Sequence, residues 1–265
     1  MSAEGPKDRH LGRANGQLNG SSHPSAPSPQ GRPSGEPLDE AEAFADEAAP
    51  DTEPNDDPEE TAGAYETDRE DPEALAEPPL VIRELVAACV RFVATKYGFA
   101  LDGKPETLGV LDQYVRDARS ELAVKPEALD VLQSSIGAYL GEVFRARFGG
   151  EWFADGSPDM DAERDHGSFR LGLTRVFLAF NPIGMAREAL TLEPSEGFHA
   201  HLAMDAEDRE EVEARLAALG DVDEDEYYLP TTRFDVVELA YESIRARMVE
   251  RGLGDVRFTA ADYRT

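Results

Sequence analysis

Apolar residues in the stretch PEALDVLQSSIGAYLGEVFRARFGGEW, residues 126–152, fall at Leu129, Leu132, Ile136, Leu140, Val143 and Phe144. That spacing puts them on one face of a helix. Pro126 suits a first helical turn, where a missing N–H is no loss, and Gly149-Gly150 ends the pattern, with glycine free to adopt a left-handed cap. Ser134, Gly137, Ala138 and Gly141 form a second face of small residues, which lets another backbone come close. The helix is therefore expected to be central and packed on more than one side.

Two helices are predicted before it. Val81, Leu85, Ala88, Cys89, Phe92 and Val93 give one over 79–97, stopped by Gly98. Pro105 opens another, with Leu108, Leu111, Tyr114, Val115, Ala118 and Leu122 on one side. The short connections predict that these helices pack as neighbours.

After Trp152 the period changes. Phe169, Leu171 and Leu173 alternate with Arg170, Gly172 and Thr174, and the run VFLAF follows at 176–180; both read as strands. Asn181-Pro182 reads as a helix start, with asparagine as N-cap and a helix to about 190. Phe198, Ala200, Leu202 and Met204 alternate with His199, His201 and Ala203, which predicts a further strand. Asp205 is expected to cap a helix over 206–219 with Val212, Leu216 and Leu219 as its stripe. Thr232 and Asp235 resemble a capping box that opens a last helix to about Arg251. The run VRFTA near the end is either a short strand or loose. The predicted class is α+β: an N-terminal helical bundle packed with a small, mainly antiparallel sheet and further helices, over a single domain 78–265.

Composition adds a boundary. Residues 1–77 are rich in Pro, Gly, Ser and acidic side chains, with 20 acidic and 5 basic residues, about half of the net charge of −29. Such a segment buries too little apolar area to offset chain entropy, so a disordered acidic tail is expected there. The acidic balance repels nucleic-acid phosphate and anionic lipid, so neither nucleic acid nor membrane is an expected partner; a basic protein is. Cys89 is the one cysteine. It cannot pair within the chain, and it sits in an apolar pattern where a thiol is inert, which points to a reducing, cytoplasmic setting. No apolar run is long enough to span a bilayer, and the opening residues hold no apolar stretch of the secretory kind. The oligomeric state is not legible.

Leu111-Asp112, then Gly137, Tyr139, Gly141 and Glu142, then Gly149, Gly150 and Trp152, then Asn181-Pro182 make up a pattern over about residues 80–191. It resembles a diffuse group of uncharacterised bacterial domains that share a G-x-Y-x-G-E…G-G-x-W helix end. The resemblance implies a fold and a bacterial cytosolic origin, and lends no catalytic residue.

Candidate chemistry is sparse. His199 and His201, at i and i+2 on the predicted strand, would point to one face, as metal ligands do, although a third ligand would be needed. Otherwise they are the polar face of an amphipathic strand. Glu142 lies beside the small-residue face, where burial would demand a partner; Arg145, three residues on, can supply it. Trp152 reads as a core anchor or a binding-surface anchor. Arg164, Arg170, Arg175 and Arg187 gather near the strands, as scattered surface charge or as an anion site. The motifs GxxxxGK, GxGxxG, GxSxG and HExxH are absent. The expected function is a non-catalytic interaction protein without a cofactor, its acidic surface and arm directed at a basic partner. Alternatives are a metal-assisted hydrolase using His199 and His201, and an immunity-type neutralising protein.

Overall fold

In a computed structural model of the chain, the stripe of the third predicted helix becomes α3 (Leu129–Phe148), entered through a 3-10 turn at Pro126–Ala128. The structure describes residues 75–154, 159–161, 165–195, 197–220 and 222–264. The segment expected to be disordered lies outside these up to residue 74. Both faces of α3 are buried: Ile136, Leu140, Val143 and Phe144 on the apolar side, Ser134, Gly137, Ala138 and Gly141 on the small side. Its main neighbours are α1 (Leu80–Tyr97) and α4 (Pro182–Thr191). Phe144 stacks on Phe234 at 5.7 Å and meets Phe180 edge-on at 5.0 Å, tying α3 to a later helix and to the sheet.

The second predicted helix is α2 (Leu108–Leu122), preceded by a 3-10 turn at Pro105–Thr107. Asp112 on its buried face has a use that periodicity does not reveal. Its carboxylate accepts the backbone N–H of Thr231 at 3.0 Å, capping α7 (Pro230–Glu250) from across the chain. Burial raises the pKa of this carboxyl, against the lowering effect of the Thr231 hydrogen bonds and of Arg116 and Arg119.

The sheet has four antiparallel strands in the order β1-β2-β3-β4: β1 (Glu151–Ala154), β2 (Phe169–Gly172), β3 (Leu178–Phe180) and β4 (Ala203–Met204). Trp152 faces Leu171 across the first pair, Leu171 faces Phe180 across the second, and Leu178 faces Met204 across the third. Between β4 and α7 lie α5 (Ala206–Ala218) and the single turn α6 (Glu224–Tyr227). Last comes α8 (Ala260–Tyr263), whose Tyr263 stacks on Phe153 and Phe177 over the far face of the sheet. The Tyr263 hydroxyl donates to the Leu173 carbonyl at 2.6 Å, and burial pushes its pKa up.

The α+β class holds, and several elements differ from expectation. The strand predicted over 198–204 forms only at Ala203–Met204. Gly197–His199 is a turn with positive φ at Gly197 (85°) and His199 (50°), which delivers the His199 carbonyl to the backbone N–H of Asn181 at 3.0 Å. The alternation of Phe198 and Ala200 thus reflects a turn packed on α4, where both side chains approach Gly184. VRFTA forms no strand; Phe258 makes one backbone bond to Thr174 and the chain turns into α8. The capping box lies there, at Thr259 and Asp262, and not at Thr232 and Asp235, because Pro230 starts α7 two residues earlier. Gly149 has φ 73° and ψ 150°, a glycine conformation distinct from the left-handed cap expected. Leu219 falls past the end of α5 and is 73% exposed, so it is no part of the stripe. Asp205 stands at the N-cap of α5 without a side-chain cap bond.

Candidate functional site

The residues that carry the family-like pattern meet at one joint. Asn181 caps α4, its side-chain oxygen accepting the N–H groups of Ile183 and Gly184 at 2.9 Å each, as expected for that residue. The cap brings Pro182 and Ile183 onto Gly137, where a Cβ would run into the Ile183 backbone and lie 2.7 Å from the Pro182 carbonyl oxygen. One turn on, Gly141 lies under the ring of Trp152, with no room for a Cβ. The Trp152 indole N–H donates to Glu142 at 2.6 Å, and Arg145 closes on the same carboxylate at 2.7–3.0 Å. The expected Glu142–Arg145 pair is therefore present, with the tryptophan as a third member. Tyr139 is buried, and its hydroxyl accepts the Gly103 N–H at 3.0 Å while meeting Thr107 Oγ1 at 3.2 Å. Gly137, Tyr139, Gly141, Glu142 and Trp152 thus hold α3, α4 and β1 together, and Trp152 is a core anchor.

His199 and His201 do not share a strand face. Their rings are 6.0 Å apart, on a turn and the bend after it. Among the described residues no group of three or more His, Cys, Asp and Glu side chains is placed to hold a metal ion. Of the arginines, Arg187 lies over the Phe198 ring and donates to Gln133 at 3.0 Å, and Arg170 lies over the Phe153 ring. Arg164 lies outside the described residues. Cys89 is fully buried, and burial pushes its thiol up to about 12.

His201, however, lines a cavity of about 330 Å³ between α4, α5 and the start of α7. Met185, Met204, Val212, Leu216 and Val237 form most of its wall. At its inner side Arg233 donates to Glu188 at 2.6 Å, with side chains only 9% and 11% exposed. Glu188 is fully engaged: its other oxygen accepts from the backbone N–H and the hydroxyl of Ser195 at 3.1 and 3.2 Å. The Arg233 guanidinium lies over the rings of Tyr227 at 4.3 Å and Tyr228 at 5.2 Å. Its Nε–H is buried and has no hydrogen-bond partner among the described residues. A buried donor left unmet costs about 1–3 kcal/mol, so this one calls for an acceptor.

The rim is wetter. Arg209, Glu213 and His201 are exposed there, and among the described residues no carboxylate forms an ion pair with Arg209. Burial is the largest cause holding the His201 pKa below its ordinary value, followed by His199, Arg209 and Arg170, with Glu188 acting the other way. Charges at the rim interact at about 1 kcal/mol per 4 Å pair in water, against about 4 near the protein interior, so the inner arginine dominates the field in the cavity.

No local signal marks this site. Arg233 sits in the first turn of a helix and finds Glu188 from 45 residues away. The only sequence cue is the Tyr227-Tyr228 pair just before Leu229-Pro230. Compared with known proteins, the chain matches no family model, no curated protein and no solved structure.

Proposed function

We propose that the folded part of the chain is a non-catalytic binding module that holds a small amphipathic molecule in the cavity between α4, α5 and α7. The observation that carries this reading is Arg233, buried against Glu188 and two tyrosine rings with its Nε–H unmet at the wall of an otherwise apolar cavity. A concave, mostly apolar site with a few placed polar groups is what small-ligand sites have in common, and the volume falls at the lower end of their range of about 300–1,000 Å³. None of the lining side chains is serine, threonine or cysteine, and the one buried carboxylate is spent on Arg233 and Ser195. That supports holding over chemistry.

The test uses a neutral, polarity-sensitive naphthalene dye of the prodan type with the full chain. The expected result is a blue-shifted emission that saturates at one site. It should be abolished by Leu216→Trp, which puts an indole into the cavity from a partly exposed position and leaves the melting temperature within a few degrees. Emission unchanged by the protein, or binding indifferent to Leu216→Trp, contradicts the reading.

A second reading, an interaction protein for a basic partner, is supported by a different feature. Leu219 and Val222, 73% and 51% exposed, stand beside the carboxylates of Asp223, Asp225 and Glu226 on one acidic edge. A basic amphipathic segment would complement that edge, and an immunity-type neutralising protein would be one form of it. A partner that co-purifies at low salt and is lost at raised salt, or on deletion of residues 1–77, is the expected sign. A cytoplasmic location belongs to this proposal as well, supported by the lone, buried Cys89. Among the described residues no helix is long and apolar enough to cross a membrane.

A further inference from the structure

Building on the ligand-binding reading above, we propose that the cavity takes an aliphatic monocarboxylate. Its head would lie against Arg233 and the rim guanidinium of Arg209, and its tail among Met185, Val212 and Leu216. Three observations select this class. The unmet hydrogen-bonding capacity at the inner wall is a donor, the Nε–H of Arg233, and the rim adds the guanidinium of Arg209, which has no ion-pair partner among the described residues. Both call for an acceptor with negative charge, and a guanidinium pairs with carboxylate better than with any neutral acceptor.

The charge balance limits the head to one negative charge. Arg233 already shares its own charge with Glu188, whose two oxygens are fully bonded, so the Glu188 carboxylate is not available to bind an ammonium group. What is left over for a ligand is one buried N–H and one exposed guanidinium. Glu213, the other lining carboxylate, is exposed at the rim, where water screens it. The tail follows from the wall. Met185, Met204, Val212, Leu216 and Val237 are flexible or branched aliphatic groups, and methionine adapts to chains of varied shape. The aromatic rings of Tyr227 and Tyr228 are occupied by Arg233 and do not offer a free face for stacking a flat ligand.

The experiment is calorimetric titration of the full chain with octanoate, 1-octanol and octylammonium, which share one tail and differ in head charge. Octanoate is expected to bind at least about tenfold more tightly than either congener. Arg209→Gln, a change at an exposed position, should weaken octanoate at least about fivefold while leaving 1-octanol and the ligand-free melting temperature unchanged. If 1-octanol or octylammonium binds as tightly as octanoate, or if Arg209→Gln changes nothing, the carboxylate assignment is overturned while the cavity reading stands. If none of the three binds although the neutral naphthalene dye does, the assignment is again overturned. If the dye also fails, the binding-module reading falls and takes this inference with it.

Discussion

Arg233→Ala is expected to lower the unfolding free energy by about 3–5 kcal/mol, the cost of leaving one member of a buried ion pair without its partner. The side chain that loses out is Glu188, which keeps Ser195 but no cation within ion-pair distance among the described residues. The truncation also takes away the cation above Tyr227 and Tyr228 and enlarges the cavity. Glu188→Ala should cost a similar amount for the mirror-image reason. The double replacement Glu188→Leu with Arg233→Met should recover most of the loss, because apolar side chains of similar volume remove both desolvation penalties at once. Urea unfolding of the four proteins checks this. A single substitution costing less than about 1 kcal/mol would mean that water reaches the pair freely and that the inner arginine does not stand in a low-dielectric site.

The second large effect lies at the joint between α3 and α4. Gly137→Ala adds helix propensity of about 1 kcal/mol. Against that, the new methyl meets backbone and not the end of a mobile side chain: the Ile183 Cα is closest, with the Ile183 nitrogen and the Pro182 oxygen each 2.7 Å away. Helix α4 would have to move, yet its first turn is held by two bonds to the Asn181 side chain, and Asn181 itself is held by the Gly167 carbonyl at 2.6 Å. Overpacking costs about 1–3 kcal/mol when the surroundings can yield, and here the net loss is expected at the top of that range. Gly141→Ala displaces a tryptophan ring and strains its bond to Glu142, so it should be destabilising by less, about 1 kcal/mol net. Because α4 also carries Met185 and Glu188, Gly137→Ala should weaken ligand binding too. The check is the denaturant midpoint of both variants. A higher midpoint at unchanged slope for Gly137→Ala contradicts the close-approach account.

That joint was legible in the chain because its signals are local. Two glycines one turn apart in a helix ask for close approach, and Gly137 and Gly141 have it. Asn181 before Pro182 asks for a cap, and α4 has it. Glu142 and Arg145 are three apart on a helix and pair as that spacing allows. Other elements deceived for equally physical reasons. β1 is only four residues long and its first residue follows two glycines, so it shows no alternation long enough to read. The apparent alternation from Phe198 to Met204 joins a positive-φ turn to a two-residue strand, and a histidine at φ 50° leaves no trace in a hydrophobicity pattern. The cavity was the least legible of all. Its key contact joins Arg233 to Glu188 across 45 positions, and each residue alone reads as an ordinary surface charge on a helix. Only the packing of α7 against α4 and α5 turns them inward.

The central claim is that a small molecule enters the cavity between α4, α5 and α7, and methionine methyl groups report on it directly. Met185 and Met204 line that cavity, Met248 lines a separate and smaller one, and Met160 lies in the hydrophobic core. In spectra of the full chain labelled at methionine methyl carbons, titration with octanoate is expected to shift the Met185 and Met204 signals along one saturable curve while Met160 and Met248 stay in place. Saturable shifts at Met160 or Met248 with Met185 and Met204 unmoved, or no shift at any of them, would contradict it.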